Sequence, residues 1–76
     1  MLAFVFVKID TNIGYSVGSE ITKIKGVEEV HVLTGDIDLI VKVSAKNLDE
    51  LGKTIYQIRE VNGVLGTDTR IVLTSL

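Results

Sequence analysis

The chain predicts an α+β domain in the order βαββαβ, an antiparallel four-stranded sheet with two helices on one face. Three observations lead there. Four apolar, β-branched runs are punctuated by turn residues, two intervening stretches carry apolar residues at helical spacing, and the middle pair of runs is joined tightly at Gly35-Asp36.

Residues 2–9, LAFVFVKI, set Leu2, Phe4 and Phe6 on one side and Ala3, Val5, Val7 and Ile9 on the other. Both sides are apolar, so this strand should be covered on both faces. A first helix is expected over residues 15–25, where Val17, Ile21 and Ile24 fall at i, i+4 and i+7 and Gly26 closes the turn. Gly14 and Gly18 weaken its start.

The runs EEVHVLT and IDLIVKV flank Gly35-Asp36, and glycine first in a two-residue loop signals a type II′ hairpin. Counting outward pairs Thr34 with Ile37, Leu33 with Asp38, Val32 with Leu39, His31 with Ile40, Val30 with Val41 and Glu29 with Lys42. One hairpin face is then apolar (Val30, Val32, Ile37, Leu39, Val41) and should meet the helices. The other is mixed (Glu29, His31, Leu33, Asp38, Ile40, Lys42). Asn47 reads as an N-cap with Glu50 at N3, and Leu48, Leu51, Ile55 and Ile58 give the apolar stripe of a second helix that Asn62-Gly63 ends. GTDTRIVLTSL alternates as the fourth strand. The plan is ferredoxin-like, in one domain spanning 1–76.

A chain of 76 residues buries little core and usually needs a staple. With no cysteine and one histidine, neither a disulfide framework nor a zinc site is available, and no cofactor is expected. Self-association is the remaining staple. The 46% hydrophobic content agrees, as does a mean hydropathy of +0.40, and the sheet face away from the helices is expected to pack on a second subunit. Net charge -2, with basic residues scattered, argues against a phosphate-tracking surface. RNA binding would also want exposed aromatics on the central strands, and none is expected there. Lys8 and Asp10 interrupt the apolar opening, so no membrane span is expected and the protein reads as soluble and cytoplasmic.

Catalytic machinery is sparse. His31 has no clustered partners and reads as a strand histidine, Ser16 and Ser19 lack a nucleophile context, and GYSVGSE lacks the GK[ST] of a phosphate loop. The groups of interest are Thr34, Gly35, Asp36 and Asp38 at the hairpin and Thr67 and Thr69 in the fourth strand. Asp36 is explained by the turn. Asp38 lies within a strand, where a carboxylate wants an answering cation, either Lys42 or a ligand. A free amino acid needs a carboxylate for its ammonium, N–H or hydroxyl donors for its own carboxylate, and an apolar wall. TGDID carries these in five residues, with Ile37 or Leu33 as the wall.

GVEEVHVLTGDIDLIVKV, a helix, and then VNGVLGTDTRIVL together resemble the effector-binding domain of the Lrp/AsnC regulators over essentially the whole chain. The most specific pieces are G-x-x-D at Gly35 to Asp38 and G-V-x-x-T-x-T-x-I-V-L at Gly63 to Leu73. The resemblance implies dimers with sheets face to face, rings of dimers that are commonly octamers, and an amino acid effector held between dimers. By motif, the hairpin turn (Gly35, Asp36, Asp38) and the threonines Thr67 and Thr69 would contribute. The sequence departs from the family in starting directly at strand 1, where full-length members carry an N-terminal DNA-binding helix-turn-helix. It therefore resembles a stand-alone effector domain, expected to make no direct contact with nucleic acid and to act by co-assembling with full-length regulators. Position 37, often aromatic in the family, is isoleucine here. The rival readings are a structural assembly module without ligand and a small enzyme of the dimeric α+β barrel kind.

Overall fold

A computed structural model describes residues 1–76. The elements are β1 (Leu2–Ile9), α1 (Ser16–Thr22), β2 (Val27–Val32), β3 (Leu39–Ser44), α2 (Leu48–Glu60) and β4 (Val64–Ile71). The strands pair antiparallel in the order β2-β3-β1-β4, so β1 and β3 are central. This is the expected βαββαβ arrangement.

Alternation places Ala3, Val5, Val7 and Ile9 of β1 beside Leu39, Val41 and Val43 of β3 on one face, all buried. Val17 and Ile21 of α1 and Leu51 and Ile58 of α2 close over them to complete the core. Leu2, Phe4, Phe6 and Ile40 point to the opposite face and stay half-buried. No helix is long and apolar enough to cross a membrane.

The observed register, with Glu29 opposite Lys42, Val30 opposite Val41, His31 opposite Ile40 and Val32 opposite Leu39, is the one counted from the turn. The turn itself is looser than a two-residue hairpin. The ladder stops at Val32 and Leu39, Leu33 N–H still donates to the Asp38 carbonyl at 2.8 Å, and no backbone hydrogen bond joins Thr34 to Ile37. The loop leans instead on β1: Asp38 N–H donates to the Val7 carbonyl at 3.1 Å, and Lys8 Nζ to the Asp36 carbonyl at 2.9 Å.

Other expectations need correction. α1 is seven residues, not eleven: one is lost at the start, where Tyr15 supplies no side-chain cap, and three at the end, where Lys23 and Ile24 N–H groups tighten onto the Glu20 and Ile21 carbonyls three residues back. Ile24, beyond the helix, still packs on the core. Val32, at the end of the edge strand β2, stays 53% exposed although it lies on the helix side of the sheet. In α2, Asn47 Oδ1 accepts Glu50 N–H at 2.9 Å as expected, but Leu48 faces solvent. Its place in the contact stripe is taken by Thr54, whose hydroxyl reaches the Lys25 carbonyl at 3.2 Å and so tolerates burial. The central strands also do carry aromatics, since β1 is central and presents Phe4 and Phe6 to the open face.

Candidate functional site: the Asp38 cavity

Asp38 sits one residue before Leu39, where the chain enters β3 alongside the end of β1. Its carboxylate is not answered by Lys42. That lysine is held by Glu29 at 3.3 Å and Glu28 at 3.8 Å, and Glu29 also binds His31 at 2.9 Å. These partners, His31 foremost and then Lys42, hold the Glu29 carboxyl below the usual glutamate range. What Asp38 does bind is the backbone of β1: Oδ2 accepts Ile9 N–H at 2.9 Å. No cation lies within ion-pair distance, and the other carboxylate oxygen accepts no hydrogen bond from the chain.

That oxygen belongs to a residue lining a cavity of about 240 Å³, bounded by Ile9, Thr11, Gly14, Tyr15, Leu33 and Asp38. Three of these, Thr11, Gly14 and Tyr15, come from the β1–α1 loop and were not legible as site residues in the sequence. The loop is anchored from across the fold. Asp10 N–H donates to the Gly63 carbonyl at 2.8 Å, and Asp10 Oδ1 accepts Asn12 N–H at 2.9 Å. Gly63, with φ +99°, lies so close beneath α1 that a Cβ there would stand 2.7 Å from Val17 Cγ2. The glycine that opens the fourth-strand motif therefore sets the height of the loop forming the other wall of the cavity.

The arrangement offers an acceptor for an ammonium at Asp38, apolar walls at Ile9 and Leu33, a phenol ring at Tyr15 and a hydroxyl at Thr11. Thr34, Gly35 and Asp36 lie in the exposed loop on the same end of the sheet but do not line the cavity. Thr67 and Thr69 pair with Val7 and Val5, which puts their side chains on the helix side, half-buried. They stand across β1 from β3, roughly 10 Å from it at ordinary strand spacing. Thr67 lines a different hollow, with Arg59, Val64, Leu65 and Gly66. Arg59 has no ion-pair partner, and the sequence did not single it out. One chain thus brings Asp38 together with the β1–α1 loop and keeps it apart from the two threonines.

The second sheet face is framed by charge. Arg70 Nη2 binds Asp68 Oδ2 at 3.0 Å and lies 5.8 Å from the centre of the Phe6 ring. Asp68 raises the Arg70 pKa further above its ordinary value.

The structure is thus an α+β domain with a small hollow of mixed polar and apolar lining at one end of its sheet. Residues 2–76 match the family described as the Lrp/AsnC ligand binding domain, and the chain belongs to that family. It is 41% identical over 73 residues to the HTH-type transcriptional regulator FL11 of Pyrococcus horikoshii, covering 96% of this chain and 48% of that protein. It is 43% identical over 74 residues to a homocitrate synthase of Sulfolobus acidocaldarius, covering 96% of this chain and 16% of the enzyme. The crystal structure of TTHA0845 from Thermus thermophilus superposes with a TM-score of 0.92 at 30% identity, covering 99% of this chain and 95% of that one. The chain spans about half the length of the curated regulators it matches.

Proposed function

We propose that this chain is an effector-sensing and assembly module that binds an amino acid or similar zwitterion, with the ammonium on the free oxygen of Asp38 and the side chain against Leu33 and Ile9. The observation that carries the reading is a carboxylate with one oxygen fixed by Ile9 N–H, no cation opposite it, and a 240 Å³ cavity that Asp38 helps to line. A fixed carboxylate is a preorganised receptor, losing little side-chain freedom when the ligand arrives.

The ammonium and α-carboxylate of an amino acid share one carbon, so a ligand seated on Asp38 cannot reach the threonines across β1 of the same chain. A second copy completes the site, and the Arg59–Thr67 hollow at the β4 edge is the surface suited to the α-carboxylate. The half-buried face of Leu2, Phe4, Phe6 and Ile40 is where a second copy packs sheet to sheet, and rings of such dimers would bring the turn of one near the β4 edge of another. Association with full-length regulators would use the same surfaces.

Two relatives named for different activities, a transcriptional regulator and a homocitrate synthase, share nearly this whole chain as a minor part of their length. What is common to both favours portable sensing over DNA contact or catalysis, and no catalytic role is assigned to any residue here. The net charge of -2 also disfavours the Phe4–Phe6 face as a nucleic-acid platform. A second reading has one observation behind it: the Ile9 contact makes Asp38 useful to the fold without any ligand, as a structural assembly module requires. Calorimetric titration of the wild-type chain with each of the twenty amino acids separates the two. Saturable heat from at least one supports sensing, and none from any supports assembly alone.

A further inference from the structure

At the end of the sheet opposite Asp38, the turn before β2, the end of β3 and the first turns of α2 enclose a cleft of about 490 Å³. Of its nine lining residues only Ala45 is hydrophobic, although aliphatic stems of the long side chains make up much of the wall. Three of the chain's eight basic residues line it from three separate segments: Lys25 before β2, Lys46 between β3 and α2, and Lys53 on α2.

The segments bearing these lysines are locked together. Thr54 Oγ1 donates to the Lys25 carbonyl at 3.2 Å, and Ser44 N–H to the Gly26 carbonyl at 2.9 Å. Gly26 has φ +98°, and a Cβ on it would stand 2.9 Å from Thr54 Oγ1, so glycine is what lets the three segments meet. Lys25 and Lys46 have no ion-pair partner, while Lys53 lies 3.4 Å from Asp49. The one acid in the lining, Glu50, has Oε2 engaged by Lys46 N–H at 2.8 Å. Ser44 Oγ and the Gln57 amide make no side-chain hydrogen bond within the chain and remain available.

We propose that this cleft binds a small phosphorylated molecule, its phosphate or pyrophosphate group held by Lys25 and Lys46 with Lys53 at the margin. The donor set separates phosphate from carboxylate. Lysines act as point charges suited to a phosphate's spread of oxygens, whereas planar carboxylate recognition favours the arginine fork, and no arginine lines the cleft. The volume exceeds what a lone phosphate needs and falls in the roughly 300–1,000 Å³ range of small-molecule sites, leaving room for Ser44 and Gln57 to contact the rest of the ligand. A nucleic-acid backbone is the poorer match, because tracking it takes a stripe of cations and this chain, at net charge -2, has one cluster. The site is independent of the Asp38 cavity.

The test is an amide-shift titration of the isotope-labelled chain, at constant ionic strength, with sodium pyrophosphate, then ADP, then a short DNA duplex. Saturable shifts at Lys25, Gly26, Ser44, Lys46 and Gln57, with a Kd of about 1 mM or tighter for pyrophosphate or ADP, are expected. The Lys25→Ala, Lys46→Ala double variant, changed only at exposed side chains, should keep its spectrum and weaken binding at least about 10-fold, while Asp38→Asn leaves binding unchanged. Non-saturating shifts, shifts spread equally to Lys8 and Lys23, undiminished binding by the double variant, or tighter binding of the duplex than of ADP would each overturn the proposal.

Discussion

Asp38 Oδ2 accepts Ile9 N–H at 2.9 Å, so the carboxylate that the sequence placed inside a strand, and the structure places just before β3, is held by the backbone of β1 and not by a lysine. Because the contact needs only an acceptor oxygen, Asp38→Asn can keep it while removing the charge. Asp38→Ala leaves a half-buried N–H without its partner and should cost about 1–2 kcal/mol in urea unfolding, against well under about 1 kcal/mol for Asp38→Asn. Equal losses would mean that charge, not the hydrogen bond, stabilises the junction.

Tyr15 is 69% exposed and adds little to the core, yet it lines the cavity. Tyr15→Ala should leave the urea midpoint nearly unchanged, within about 0.5 kcal/mol, and weaken amino acid binding several-fold. A large stability loss with unchanged affinity would make Tyr15 a packing residue instead.

The glycines divide by environment. Gly63→Ala meets Val17 Cγ2 and Ile13 Cδ1 at a backbone angle of φ +99°, and should cost more than about 2 kcal/mol. Gly52, in the middle of α2, has open space where a Cβ would go, so Gly52→Ala should stabilise by up to about 1 kcal/mol. Thermal unfolding of both variants reads the contrast, and a stabilised Gly63→Ala would refute the close approach.

The element order and hairpin register were legible because β-strand alternation leaves few ways to bury Val41 and Leu39 together. The site was half legible. Asp38 stood out as an acid inside an apolar run, but its partner at Ile9 is a backbone N–H that carries no sequence signature. Thr11 and Tyr15 reach the cavity through a loop whose height depends on Gly63, some fifty positions along the chain. Likewise, the register placed Glu29 opposite Lys42, and that pair, joined by Glu28 where a bulge interrupts β2, holds the lysine that Asp38 could otherwise have taken.

Glu29, with its carboxyl held below the usual glutamate range by His31 and Lys42, is more acidic folded than unfolded. Its contribution is therefore present above the unfolded glutamate pKa and is lost as pH falls through the lower folded value. The group is exposed, so the effect should be small and shrink with added salt. Carboxyl-detected NMR titration should place Glu29 below the ordinary glutamate value at low salt and nearer to it at high salt. A salt-independent value would contradict the ion-pair cause.

The open sheet face gives a prediction about assembly. Phe6→Glu puts a second acid beside Asp68, in the centre of the face proposed to meet a second copy, and should shift sedimentation from oligomer to monomer. A wild-type chain that already sediments as a folded monomer at micromolar concentration would remove that interface.

The most direct measurement is calorimetry of wild-type and Asp38→Asn chains with whichever amino acid gives saturable heat. If the free oxygen of Asp38 receives the ammonium, the asparagine variant should keep its fold and lose at least about 10-fold in affinity, some 1.4 kcal/mol. Undiminished binding by a folded Asp38→Asn chain would contradict the assignment.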